Sequence, residues 1–248
     1  MSTQNVYDQP DFFEAYGRLR RSTEGLAGAA EWPSLKAMLP PIAGARVLDL
    51  GCGYGWFAAY AADAEAAMVL AVNVSERMLA RARTINARPV IDYERADLEM
   101  VALPAESFDL AFSSLALHYV EDLPRLLREV AGALAPSGVL VASVEHPIYT
   151  APRHPGWAVT ADGARAWTLG NYFDEGPRRA TWLGSDAVKH HRTLTSLLAN
   201  LQQSGFMLER LEEYRASAEQ LSERPELAVE LERPMFLLLR ASKAHRPF

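Results

Sequence analysis

The sequence predicts an α/β fold built on a mostly parallel sheet, and three observations carry that prediction. The run Val47 to Leu50 is a short apolar strand that breaks into a turn with glycine at positions 51, 53 and 55, and a helix opens from Trp56. Polar residues recur at or near the ends of successive strands, at Asp49, Asn73 and Asp97, where open α/β sheets place their ligands. Apolar strands alternate with amphipathic helices through to Val144, and that alternation implies right-handed crossovers and a sheet covered on both faces.

Taken in order, the chain begins with a helical stretch before the first strand. Phe12, Phe13, Tyr16 and Leu19 follow Pro10-Asp11 at helical spacing, and Trp32, Leu35 and Met38 predict a second helix stopped by Pro40-Pro41. A helix from Trp56 to about Ala64 follows the glycine turn and is rich in alanine. Strand two runs from Met68 to Val72, and Ser75 caps a helix that carries Met78, Leu79 and Ala82 on one face. Strand three is Val90 to Tyr93 and strand four Leu110 to Ser113. Asp122 and Pro124 open a helix whose stripe of Leu123, Leu126, Leu127, Val130 and Leu134 packs on a sheet. Pro136-Ser137-Gly138 ends it, and Val139 to Val144 is strand five.

Beyond Glu145 the rhythm stops. Residues 145 to 186 show no periodicity, but hold four prolines, five glycines and six large aromatic residues: Tyr149, Trp157, Trp167, Tyr172, Phe173 and Trp182. A segment of that length within one domain is either disordered or functional, and the aromatic density predicts an ordered lid over the strand ends. Val188, Leu194, Leu197, Leu198 and Leu201 then predict a helix closed by Gly205, followed by strand six from Phe206 to Leu211. A last strand follows from Met235 to Leu239. One domain results, with a helical cap over 1–44, a core over 45–145, a lid over 146–187 and a C-terminal part over 188–248.

Composition narrows the function classes. Over 248 residues, 49% hydrophobic and 23% charged content is that of a globular chain with room for one elaborated domain. The net charge of −6, without a basic run, argues against a nucleic-acid duplex as partner. A single cysteine, Cys52, allows no internal disulfide. The polar, acidic start lacks the marks of a signal peptide, and no apolar run has membrane-spanning length, so the expectation is a cytoplasmic protein without membrane contact.

The stretches VLDLGCGYG (47–55), VNVSERMLARA (72–82), ADLEMVALPAESFDLAFSSLALHYVED (96–122) and the run from Leu123 to Ser143 resemble the class I S-adenosylmethionine-dependent methyltransferases of the small-molecule type. The resemblance implies a Rossmann-like sheet of seven mostly parallel strands in the order 3-2-1-4-5-7-6. It also implies S-adenosylmethionine as cofactor. Gly51 and Gly53 would carry their backbone against its methionine part, with Cys52 between them and Asp49 orienting the turn or the amino group. Asn73 and Val74 would meet the ribose, Met78 the adenine ring, Asp97 and the Leu98 amide the adenine edge, and Ser114 the methionine moiety. Tyr16 and Arg21 either meet the cofactor carboxylate or are, respectively, core and solvated.

Asn73 departs from that pattern, because the family places an acid there whose two oxygens accept from both ribose hydroxyls, whereas an amide offers one acceptor and two donors. A fold-conserving binding or regulatory protein is the alternative this raises. An NAD(P)-dependent oxidoreductase is disfavoured, since Trp56 and Asn73 stand where a dinucleotide site needs its third glycine and its acid. A sulfonium methyl is already electrophilic, so the protein must align the nucleophile, exclude water and, for an O–H or N–H acceptor, supply a base. His118, His146 and His191 are the candidate bases, each with a structural reading open beside the catalytic one. No metal set is expected. The aromatic lid predicts a small aromatic or apolar methyl acceptor, methylated on O, N or C, with a homodimer left open.

Overall fold

The computed structural model describes residues 4–244. Three short helices precede the sheet: α1 (Pro10–Gly17), α2 (Arg20–Thr23) and α3 (Trp32–Lys36). Next come β1 (Arg46–Leu50), α4 (Trp56–Asp63), β2 (Met68–Asn73), α5 (Glu76–Ile85), β3 (Ile91–Arg95), β4 (Phe108–Ser114), α6 (Leu123–Ala133) and β5 (Leu134–Glu145). The second half holds α7 (Pro147–Thr150), β6 (Trp157–Val159), β7 (Arg165–Trp167), β8 (Gly176–Trp182) and β9 (Ser185–His191). It closes with α8 (Leu194–Gln203), β10 (Phe206–Glu213), α9 (Ala218–Glu223) and β11 (Phe236–Lys243).

Seven strands form one sheet in the order β10-β11-β5-β4-β1-β2-β3, which is the 3-2-1-4-5-7-6 arrangement with the last two strands renumbered. β1 pairs in parallel with β2 and β4, and β11 enters antiparallel between β5 and β10. The central strands β1 and β4 are buried on both faces, so they read as mainly apolar runs rather than alternations, whereas the edge strand β3 is largely exposed. One apolar layer packs α6 and α8 on one face, and the other packs α4 and α5 on the opposite face. Local signals set the helix starts: the Ser75 hydroxyl accepts from the Met78 amide and the Asp122 carboxylate from the Arg125 amide. Among the described residues no helix is long and apolar enough to cross a membrane.

The segment after β5 contains structure that the sequence did not disclose. It folds as two antiparallel hairpins, β6–β7 and β8–β9, each in its own two-stranded sheet. Val188 and His191 therefore belong to β9 rather than to the following helix, which starts only at Leu194 after the Thr193 cap. Hairpins this short cannot hold themselves together. Arg233 supplies one anchor: its guanidinium lies 4.5 Å from the ring centre of Tyr149 and 4.4 Å from that of Trp167, and it pairs with Glu230 at 2.5 Å. Arg233→Ala is expected to speed amide exchange over residues 157–167 by about tenfold, read by hydrogen-exchange mass spectrometry, because a desolvated cation over aromatic faces contributes about 1–2 kcal/mol. Unchanged exchange there would show that the ring stack alone holds the hairpin.

The N-terminal segment ties this insertion to the core. Asp8 accepts from the Ser75 hydroxyl at 2.6 Å and from the Arg77 amide at 3.1 Å, at the start of α5. On the other side, Val188 donates its amide to the Gln4 side chain at 2.7 Å, and Ser185 donates to Gln9 at 3.0 Å.

Candidate active site

A cavity of about 500 Å³ opens at the carboxyl ends of β1 to β5, roofed by the N-terminal segment and by β8–β9. Its floor begins at the glycine turn. Gly51 has φ +76°, and a Cβ there would stand 2.5 Å from the Ala116 Cβ. Gly53 has φ +54°, and a Cβ there would enter open cavity, with only the Tyr16 hydroxyl near, at 3.9 Å. Backbone thus lies bare where a ligand can approach it. Asn73, Val74, Met78, Asp97, Leu98 and Ser114 continue the same wall.

Two of these polar side chains are already partly engaged. The Asn73 side-chain oxygen accepts from the Ser75 amide at 2.9 Å, which leaves its NH₂ as the group for a ligand. Asp97 accepts from the Glu99 amide at 2.9 Å through one oxygen and keeps the other. Asp49 and Cys52 do not line the cavity. Burial pushes the Asp49 carboxyl up to about 7, opposed by the Ala58 amide in the first turn of α4, and one of its oxygens is buried without a partner among the described residues. It stands behind the turn, not at the ligand surface. Burial likewise pushes the Cys52 thiol up, away from the reactive thiolate.

Tyr16 and Arg21 both line the cavity, and Arg21 is not a solvated side chain. It donates to both oxygens of Glu31, at 2.9 and 3.2 Å, and Glu31 is 0% exposed. In the sequence Glu31 shows only as an acid in an otherwise apolar stretch, with no sign of its partner.

The three candidate histidines part company. His118 lines the cavity and burial lowers its pKa to about 4, so it is neutral at ordinary pH. Its Nδ1 accepts from the Glu145 amide at 3.3 Å, which puts the proton on Nε2 and makes the ring a donor rather than a base. His146 is capping α7: Nδ1 accepts from the Ile148 amide at 3.0 Å, and Nε2 meets Glu213 at 2.9 Å. His191 is fully buried between the Thr150 hydroxyl at 2.8 Å and the Tyr172 carbonyl at 2.9 Å. Neither His146 nor His191 reaches the main cavity. Among the described residues Arg192 pairs with no carboxylate but donates to the carbonyls of Val120 and Glu121, at 2.7 and 2.8 Å.

Beyond β4 the wall changes character. Tyr7, Tyr119, Tyr149, Trp182, Met235 and Phe236 supply apolar surface there, and Glu145 and Lys189 supply charge. Glu145 ends β5, the position where strand-end logic places ligands, but it was read only as the start of the irregular segment. Lys189 carried no signal, because β9 was not recognised as a strand.

A methyltransferase-domain model matches residues 48–142, from within β1 to within β5. A solved structure of an S-adenosylmethionine-dependent methyltransferase from Mesorhizobium loti is 55% identical, covers 88% of this chain and 100% of its own, and superposes with a TM-score of 0.86. A Listeria monocytogenes chain of 38% identity covers 88% and 99%, with a TM-score of 0.80. An uncharacterized protein of Haemophilus influenzae is 31% identical over 98% of both chains. The bare glycine cradle, the polar groups at the ends of β2 and β3 and this likeness along the chain agree: the protein belongs to the class I S-adenosylmethionine-dependent methyltransferases, and S-adenosylmethionine is its cofactor.

Proposed function

We propose that the protein methylates a small molecule held between the strand ends and a lid formed by the N-terminal segment and the β8–β9 hairpin. One observation carries this reading: one cavity runs from Gly51 and Gly53 to Glu145, Lys189 and Trp182, so donor and acceptor share one space. The cofactor supplies a methyl group on a sulfonium sulfur. The chain's own work is binding, orientation and exclusion of water. Gly51 and Gly53 lay backbone against the methionine part, Arg21 and Tyr16 face its carboxylate, Asp97 and the Leu98 amide read the adenine, and Asn73 meets the ribose through its NH₂. The stitched N-terminal segment and β9 keep water from the acceptor end.

Calorimetric titration with S-adenosylmethionine and S-adenosylhomocysteine, followed by an assay of S-adenosylhomocysteine release with small aromatic acceptors, tests the reading. Micromolar binding and turnover on a small acceptor are expected. Binding with turnover only on a protein or nucleic acid would overturn it.

Asn73→Asp gives an independent check. An aspartate can keep the Ser75 bond with one oxygen and offer the other to a ribose hydroxyl as a charge-assisted acceptor. Affinity for S-adenosylhomocysteine is expected to rise about tenfold, measured by calorimetry. Weaker binding would mean that the amide donor is the group the ribose uses.

A further inference from the structure

The acceptor end holds an ion pair whose chemistry selects a substrate. Glu145, the last residue of β5, and Lys189, in the middle of β9, meet at 2.5 Å through Oε1 and Nζ, with side chains 11% and 10% exposed. Both line the main cavity. The second Glu145 oxygen, Oε2, is buried and has no hydrogen-bond partner among the described residues. Such an orphaned carboxylate oxygen is costly unless a ligand or water satisfies it. On the other side, Lys189 Nζ has one hydrogen-bond partner among the described residues and lies 5.8 and 6.0 Å from the ring centres of Trp182 and Tyr149. The pair therefore sets a carboxylate oxygen that lacks a partner among the described residues beside an ammonium with one, between aromatic walls.

We propose that Glu145 and Lys189 receive the hydroxyl of a phenol or enol and that Glu145 takes its proton during methyl transfer. This rests on the reading of the cavity as a small-molecule site and adds the acceptor class to it. The pair itself discriminates. An ammonium acceptor would face Lys189, a carboxylate acceptor would face Glu145, and only a neutral group that both donates and accepts suits both charges. A hydroxyl on a flat ring does so and fills the space between Tyr149 and Trp182. An aliphatic hydroxyl holds its proton too tightly for a carboxylate to take, whereas a phenol, near 10 in pKa, lies within reach of assisted transfer.

The step balances. The O–H bond breaks and its proton goes to the Glu145 carboxylate, while the oxygen pair forms the new O–C bond to the methyl carbon. The C–S bonding pair stays on sulfur, so one carboxylate and one sulfonium become one carboxylic acid and one thioether. Lys189 stabilises the negative charge that builds on oxygen before the methyl carbon is bonded.

The test compares phenol, 4-chlorophenol and 4-nitrophenol, with benzylamine and benzoate as controls. Calorimetry on the protein loaded with S-adenosylhomocysteine reads binding, and S-adenosylhomocysteine release reads turnover. The wild type is expected to bind phenol and 4-chlorophenol at least about tenfold more tightly than either control and to methylate all three phenols. Glu145→Gln is expected to lower kcat on phenol by about a hundredfold and on 4-nitrophenol, already largely ionised, by less than about tenfold. Its affinity for S-adenosylhomocysteine is expected to remain that of the wild type. Lys189→Met is expected to show the opposite trend, losing most with 4-nitrophenol. An equal loss across the phenols in Glu145→Gln would overturn the proposal and leave the pair as a lid fastener. Benzylamine or benzoate methylated in preference to phenols would overturn the acceptor class and leave the small-molecule reading intact. Cofactor binding without turnover on any of the five probes would count against both.

Discussion

Gly53→Val is expected to weaken S-adenosylhomocysteine binding by about a hundredfold or more while the protein still folds. Two features combine at this position. With φ at +54°, a β-branched residue sits in the left-handed region at a cost of about 1–2 kcal/mol, which lowers stability without abolishing it. The new side chain also projects into the cavity, where its Cβ meets no protein atom closer than 3.9 Å, so it occupies ligand space and displaces no core. A thermal scan and a calorimetric titration of the same sample separate the two effects. Gly51→Val is the contrasting variant, because its Cβ would collide with Ala116 at 2.5 Å and stability should fall first. Full retention of binding by folded Gly53→Val would move the cofactor away from this turn.

Arg21→Met is expected to cost about 3–5 kcal/mol of stability, because it strands the fully buried carboxylate of Glu31 without its counter-charge. For a chain of this size that is a fall of about 10 °C in Tm, read by differential scanning calorimetry. The double variant Arg21→Met/Glu31→Gln is expected to recover most of that loss, since removing both charges removes the stranded one. Cofactor affinity should not recover with it. Arg21 donates to Glu31 through Nη2 and retains other donors at the cavity wall, where the cofactor carboxylate is expected. If the double variant restored both stability and affinity, Arg21 would be a structural residue alone.

The core of the fold was readable because local chemistry and global topology agree there. Val47, Leu48 and Leu50 are apolar and fully buried because β1 lies between β2 and β4, and Ser75 and Asp122 announce their helices through their own side-chain bonds. Strand ends erred by a few residues where pairing extends a strand past its apolar run, as in β5, which begins at Leu134 although Pro136-Ser137-Gly138 read as a break. The hairpins were not readable. β8 and β9 carry Arg178, Arg179, Lys189 and His190, and their partners are Gln4, Tyr149 and Glu145, far away in the chain. No local period marks a strand whose burial is supplied by three separate segments.

The same division runs through the site. Sequence alone determined the sheet and the turn at Gly51 and Gly53, because glycine at a left-handed turn and polar groups at strand ends are requirements on single positions, and the family resemblance of those stretches implied the cofactor. Which histidine faces the cavity was decided only by the tertiary structure, since His118, His146 and His191 differ in their neighbours and not in their chemistry. The Arg21–Glu31 and Glu145–Lys189 pairs were likewise decided there, because an ion pair is a property of two positions brought together and neither residue carries it alone.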